Sequence, residues 1–315
     1  MKMKFLTVGT SYFAQDLQVN GFPSPEREII CSDMYRYPDG SCLNRASAYA
    51  ALGGNSIACT KIGADVNGTL IERFLQKRVD YSQYIYKSER QLTGTRFYLK
   101  NEKDEVAPIQ YQGANAELSV EDVKGAFGIY PDAVTICPDC SEDILKLCVE
   151  RCISMNIPGF LSLVGNQTMQ LDPDSLKGLS LLLMDTASAE RYFGYRPTTV
   201  ERCMKLCVEI AGSCGISSIL IRMDNKGTFV HDNKYYYFVP NYDIIPLDCR
   251  GASEYYDAAL FMRWLYTGDL KLSAEYASAA ETAVMLTKGG VATLPTREDI
   301  NTFVRENRLG ERLIF

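Results

Sequence analysis

The chain carries one histidine and one tryptophan in 315 residues. With His231 alone and no second Cys-x-x-Cys beside Cys137-Pro138-Asp139-Cys140, a four-ligand zinc site is poorly supplied. No basic run occurs and the formal net charge is −6, which argues against nucleic acid as a partner. No apolar stretch approaches the ~20 residues of a membrane span, so no membrane partner is expected. The segment Met1–Gly9 has two lysines, but its apolar run is short for a signal peptide and reads on into a strand. A soluble cytoplasmic protein is the expectation. Internal repeats, low-complexity segments and long linkers are also missing, which favours a single domain over residues 1–315.

Apolar residues make up 46% of the chain, enough for a sizeable core. The eleven cysteines are odd in number and scattered. Cys148 with Cys152, and Cys203 with Cys207, are spaced i, i+4, the mark of a buried helix face where cysteine acts as a small apolar residue. Cys137 and Cys140 follow an apolar strand and precede a helix, and a helix start lowers a thiol pKa. Thiol redox chemistry is therefore one reading of that pair. Two reduced, metal-free cysteines at a strand–helix turn are the default.

Strands are expected at Ser56–Ile62, Ala133–Ile136, Gly159–Val164, Leu179–Met184 and Ser217–Met223. Helical patterns lie at Asn44–Leu52, Asn67–Lys77, Ser141–Met155, Thr198–Ala211, Ala252–Leu265 and Ala274–Leu286. Another helix opens on the capping signal Ser119-Val120-Glu121-Asp122. This alternation implies an α/β fold with a mostly parallel sheet covered on both faces, and ligands at the carboxyl ends of its strands. Residues 11–38 and 82–115 break the rhythm with strand content and no good helices. Within them Arg96–Lys100 and Val106–Gln112 read as a hairpin joined by Asn101–Glu105. They are expected to form one small sheet, a lid over a cleft or a decorative edge. Tyr235–Tyr237 reads as a packed strand or hairpin, Trp264 as core, and His231 as part of a polar turn without a role.

The stretch from Ile245 to Glu254 concentrates the chemistry. A short apolar strand, Ile245-Pro246-Leu247, is expected to run into a Gly251-Ala252-Ser253 turn. Small residues at a helix start leave backbone N–H groups uncovered, and with the helix dipole these make an anion site. A carboxylate beside an anion site makes sense if the anion is a phosphoryl group in transit and Glu254 accepts the proton of the attacking hydroxyl. An ordinary helix cap with an acidic first turn is the alternative.

In order and spacing, several segments together resemble the ribokinase-like, or PfkB, carbohydrate kinases over nearly the whole length. Pro38-Asp39-Gly40-Ser41-Cys42-Leu43-Asn44 resembles the family's Gly-Gly-x-x-x-Asn segment. Lys61–Gly68 resembles its Gly-x-Asp-x-x-Gly turn, and Asp248–Glu254 its Asp-Thr-Thr-Gly-Ala-Gly-Asp signature. Thr93-Gly94-Thr95, Gly113-Ala114-Asn115, Gly289-Gly290-Val291 and Leu294–Glu298 fall at matching places. The resemblance implies a doubly wound α/β fold with a β-sheet lid, ATP with Mg2+ as cofactors, and phosphoryl transfer to a small polyhydroxyl substrate, a sugar or nucleoside. It makes Glu254 the general base and Gly251, Ala252 and Ser253 the anion hole. It puts Gly40, Asn44 and Asp16 on the substrate, with Asp16 near the end of the first strand and Tyr12 and Phe13 in the same loop. Glu190 would act on Mg2+ through water. Arg222, Asp224, Gly227 and Arg250 would face the nucleotide. A homodimer through the lid edge is a further possibility.

The sequence also departs from the pattern. The base is Glu254 where the family has aspartate, Ser253 replaces a glycine, and Arg250 replaces a threonine. Arg222 and Asp224 replace the threonine and first glycine of Thr-x-Gly-x-x-Gly, and Asp39 replaces a substrate-loop glycine. Ala187-Ser188-Ala189-Glu190 keeps only the glutamate of Asn-x-x-Glu. Arg250 could hold a phosphate or fill its site by pairing with Asp248 or Glu254. Asp224 would repel ATP unless a cation offsets it. These changes leave two expectations: an attenuated sugar kinase, or a non-catalytic pseudokinase that binds a sugar or nucleoside.

Overall fold

In a computed structural model of the protein, residues 2–26, 28–103, 105–165, 171–233 and 235–307 are described. Asp104, in the expected hairpin turn, lies outside them. The elements run β1 (Lys4–Val8), β2 (Tyr12–Val19), β3 (Cys31–Asp39), α1 (Ser41–Ala51), β4 (Asn55–Gly63), α2 (Val66–Gln76), β5 (Ile85–Ser88), β6 (Thr95–Lys100) and β7 (Val106–Tyr111). They continue with α3 (Val120–Phe127), β8 (Ala133–Ile136), α4 (Glu142–Met155), β9 (Gly159–Leu163), β10 (Leu181–Asp185), α5 (Thr186–Phe193), α6 (Val200–Cys214) and β11 (Ser218–Arg222). The chain closes with β12 (Gly227–Asp232), β13 (Tyr235–Pro240), α7 (Ala252–Thr267), α8 (Leu270–Met285) and α9 (Arg297–Glu306).

Among the described residues, nine strands form the main sheet in the order β13-β12-β11-β10-β9-β8-β1-β4-β5. All neighbours from β11 through β5 pair in parallel, and β12 and β13 add an antiparallel hairpin at one edge. Central strands are apolar on both faces because helices cover both. In β10, Leu182 and Met184 enter one core while Leu181 and Leu183 enter the other. The first core gathers residues of α2, α3, α4 and α6, and the second residues of α7, α8 and α9. This is the doubly wound α/β arrangement expected from the sequence. Strand order reverses around β1, which lies between β4 and β8, so the carboxyl end of β1 opens a crevice for a ligand.

A separate four-stranded sheet, β3-β2-β6-β7, forms the lid. Both segments expected to build it contribute, and the β6–β7 hairpin is antiparallel as expected. The boundaries need correction, because β5 falls within 82–115 yet pairs with β4 in the main sheet. Two connections anchor the lid. Asp65 caps α2 through the Gly68 N–H (2.7 Å) and also accepts from the Thr93 N–H and hydroxyl (2.8 and 2.6 Å). Asn115 exchanges hydrogen bonds of 2.9 Å with the backbone of Ser11.

Other expectations shift. Ile245–Leu247 is not a strand; Ile245 is 89% exposed and the segment crosses the surface. Two prolines nearby, Pro240 and Pro246, withhold ladder donors. His231 is not in a polar turn but buried in β12, where it stacks on Tyr236, so its pKa is lowered by burial. Tyr12 and Phe13 belong to β2 and are buried rather than looped. Tyr235–Tyr237 form part of a hairpin strand, and Trp264 packs, partly buried, against the second core.

Candidate active site

The lid and the carboxyl edge of the main sheet enclose a cleft of about 830 Å³. Its floor is the amino end of α7. Gly251 caps that helix at φ +76°, and a side chain there would strike Val291 at 2.5 Å, so both backbone and space demand glycine. Ser253 lies within the helix and has no positive φ, so its N–H keeps its orientation despite the replaced glycine. The Ala252 N–H donates to the Cys249 carbonyl (3.2 Å) and is engaged within the turn itself.

Glu254 opens into the cleft from the first turn of α7. Burial pushes its carboxyl above the usual range; Arg45 opposes this, and Asp39 and Asp257 add to it. A base whose affinity for protons is raised by desolvation matches the task of accepting one from a hydroxyl.

Asn44 enters the cleft from α1, whose start is fixed by Gly40. Gly40 has φ +124°, and a Cβ would come within 2.7 Å of the Thr10 carbonyl, so the tight turn needs glycine. Gly40 itself is not part of the cleft lining. The Asn44 amide donates to Asp39 (2.9 Å), and its Oδ1 is buried without a partner among the described residues. A buried acceptor left open favours a ligand that brings a donor, and a hydroxyl does so. Asp39 also accepts from the Tyr98 hydroxyl (3.3 Å) and lies 3.6 Å from Arg96.

Asp16 also faces the cleft, but from β2 of the lid and not from the end of the first strand. It accepts from the Tyr37 hydroxyl (2.9 Å), and burial raises its pKa. Alternation in the lid brings Tyr35 and Tyr37 of β3, and Arg96, Tyr98 and Lys100 of β6, onto the same face. None of these was singled out from the sequence, although their period-two spacing opposite Asp16 could have revealed them. Lys288, exposed beside Gly289, is a further cation at the rim.

Arg250 is paired with Asp248, not with Glu254. Its Nε and Nη2 donate to the two carboxylate oxygens (2.9 and 2.6 Å). This pairing lowers the Asp248 pKa to about 2, against a penalty from burial and with help from the Arg250 and Gly289 N–H groups. Arg250 lies on the lid side of the turn, so its assignment to the nucleotide is corrected.

Arg222, Asp224, Gly227 and Glu190, expected from the sequence to act on nucleotide or Mg2+, are not part of the cleft lining. Arg222, at the end of β11, holds Glu281 of α8 with both carboxylate oxygens (2.6 and 2.8 Å) and donates to the Ser253 hydroxyl (3.2 Å). It therefore touches the floor turn from behind. Asp224 is exposed at φ +49° and lies 3.5 Å from Arg196, so a cation not anticipated from the sequence offsets its charge. Gly227 begins β12, where a Cβ would meet the Val239 carbonyl at 2.2 Å; hairpin packing explains this glycine. Glu190 is exposed on α5 and is not gathered with Glu254.

Cys137 and Cys140 are buried, and burial raises both thiols, Cys137 to about 12. This is opposite to the lowering expected at a helix start and removes the basis for thiol redox chemistry.

Known proteins share this fold. The family model of the pfkB family carbohydrate kinases matches residues 4–297, and the chain belongs to that family. A ribokinase of Staphylococcus aureus (strain COL) is 24% identical, covering 96% of this chain and 99% of its own. An ATP-dependent ribose-1-phosphate kinase of Halopiger xanaduensis is 23% identical over 96% and 99%. The structure of Arabidopsis thaliana ribokinase, complexed with ribose and ATP, superposes with a TM-score of 0.85 at 17% identity, covering 97% and 99%. That likeness establishes a ribokinase-like fold. None of these relatives supports the non-catalytic alternative.

Proposed function

We propose that this chain transfers the γ-phosphoryl group of ATP to a hydroxyl of a sugar or sugar-like substrate held in the lidded cleft. The observation that carries this reading is that Glu254, the amino end of α7 and the open acceptor of Asn44 share one cleft. Glu254 takes the hydroxyl proton, and the attacking oxygen gains nucleophilicity beside the helix dipole. Asn44, Asp39 and Asp16 orient the hydroxyls, with both carboxylates fixed by tyrosine or amide donors. Gly251 and Lys288, which line the cleft, and the Ser253 N–H in the first turn of α7 suit the charge on the transferred phosphoryl.

ATP fits the opposite side of the turn. There Arg222 touches Ser253, and the Arg196 pairing moderates the charge of Asp224. Mg2+ in such sites is held by one or two carboxylates together with nucleotide phosphates, and it neutralises phosphate charge when bound. Glu190, exposed on α5, is the carboxylate proposed to act on it through water. The relatives named ribokinase and ribose-1-phosphate kinase support a sugar acceptor.

The test is 31P NMR of reactions containing Mg-ATP and single pentoses, hexoses, pentose phosphates or nucleosides. A new phosphate ester with equimolar ADP supports the proposal. ATP left intact with every acceptor class would overturn it.

A further inference from the structure

Arg250 precedes Gly251 directly, and its side chain reaches away from the main sheet into the lid. Nε and Nη2 are committed to Asp248, which also accepts the N–H groups of Arg250 and Gly289 (3.0 Å each). That anchoring fixes the guanidinium plane. Its centre lies 4.7 Å from the Tyr35 ring and 4.8 Å from the Tyr37 ring, both on β3. Its remaining nitrogen, Nη1, lies 4.0 Å from the Asp16 carboxylate on β2, and Tyr37 in turn donates to Asp16. One side chain of the floor turn therefore touches two lid strands.

We propose that Arg250 is a positioning residue that fastens the lid to the phosphoryl-transfer turn, so that acceptor binding and turn geometry are coupled. The inference rests on the kinase reading for its functional consequence, but the lid contact is testable without turnover. The physical argument is the shape of the group. A guanidinium offers a two-pronged edge to a carboxylate and flat faces to aromatic rings at the same time. A lysine ammonium retains the charge but cannot make both contacts in that geometry. Arg250 is bonded directly to Gly251, so a lid displaced by a missing contact leaves the turn less well held.

The location also predicts which substrate responds. Arg250 lines the acceptor cleft with Asp16, Tyr35 and Tyr37, whereas Arg222 and Asp224 on the nucleotide side do not. Loss of Arg250 should therefore act on the sugar before it acts on ATP.

The experiment compares Arg250→Ala and Arg250→Lys with the native protein by amide hydrogen exchange, without sugar. Exchange in Cys31–Asp39 should rise about tenfold in both variants, while the central strands β8–β10 stay protected. Arg250→Ala leaves a guanidinium-sized gap between Asp248 and the tyrosines. Guanidinium ion at about 10 mM, well below denaturing levels, should restore protection in β3 and not rescue Arg250→Lys. In turnover, the KM for the acceptor should rise about tenfold with the KM for ATP unchanged. Unchanged β3 exchange in both variants would overturn the proposal whether or not the protein is a kinase. So would a KM change confined to ATP, or full retention of both readouts in Arg250→Lys. If no acceptor is phosphorylated by the native protein, the exchange result alone decides the lid contact, and the kinase reading fails separately.

Discussion

Arg45 on α1 and Asp257 on α7 form a buried ion pair of 2.6 Å, with side-chain exposures of 3% and 0%. Nε of Arg45 adds a second bond to the same carboxylate oxygen (2.9 Å), and Nη1 donates to the Ser41 carbonyl (3.2 Å). Arg45 adjoins Asn44 in the chain, and Asp257 is nearly one helical turn beyond Glu254. The pair therefore joins the helix that carries Asn44 to the helix that carries Glu254. The other Asp257 oxygen has no partner among the described residues, so the pair is not a fully satisfied network there.

Removing one partner leaves an uncompensated buried charge. Arg45→Met should therefore cost about 3–5 kcal/mol in urea unfolding, and Asp257→Leu a similar amount. The double substitution should cost less than the sum of the two, because no charge is left stranded. Additive losses would show that the two residues act independently.

Asp248 gives the fold a defined acid dependence. Its folded pKa is lowered from 3.8 to about 2 by Arg250 and two backbone donors. A lowered carboxylate contributes stability that is present above the unfolded value and lost as pH falls through the folded one. Native protein should lose this contribution between about pH 4 and pH 2, and Asp248→Asn should lack that part of the acid slope. Thermal unfolding at pH 7 and at several points below pH 4 measures it. Parallel acid profiles for the two proteins would contradict the assignment.

On the nucleotide side, the Asp224–Arg196 pair is exposed, at 64% and 45% of the side chains. Exposed charges are screened and weakly coupled. Asp224→Gly should therefore change the KM for ATP by less than about threefold and leave stability nearly unchanged. A much larger gain in ATP affinity would mean that Arg196 fails to offset the carboxylate.

Much of the fold was legible because its signals are local. The apolar run Ala133–Ile136 is a strand with those bounds, and Ser119 and Asp122 make the expected reciprocal cap. The lid strands were legible as alternation without helices. What failed depended on tertiary partners. Ile245–Leu247 looked like a strand from its apolarity, but the Leu247 N–H bonds the Met285 carbonyl at the end of α8 instead of a strand. His231 looked like a turn residue from its polar neighbours, whereas Tyr236 across the hairpin buries it. Within the site, the signature turn and Asn44 could be found from spacing. Arg45 and Arg196 could not, because each is defined by a carboxylate that is distant in sequence.

The central claim is that Glu254 is the base that activates an acceptor hydroxyl. Its most direct measurement is the pre-steady-state rate of sugar-dependent ADP formation for native protein and Glu254→Gln across pH 4–9. Native activity should fall on the acid side with a limb above the ordinary glutamate value of 4.5, because burial raises this carboxyl and protonation removes the base. Glu254→Gln should lose about 100- to 10,000-fold in rate while binding sugar and ATP as the native protein does, and its acid limb should vanish. Near-native transfer by Glu254→Gln, with the same acid limb, would contradict the account.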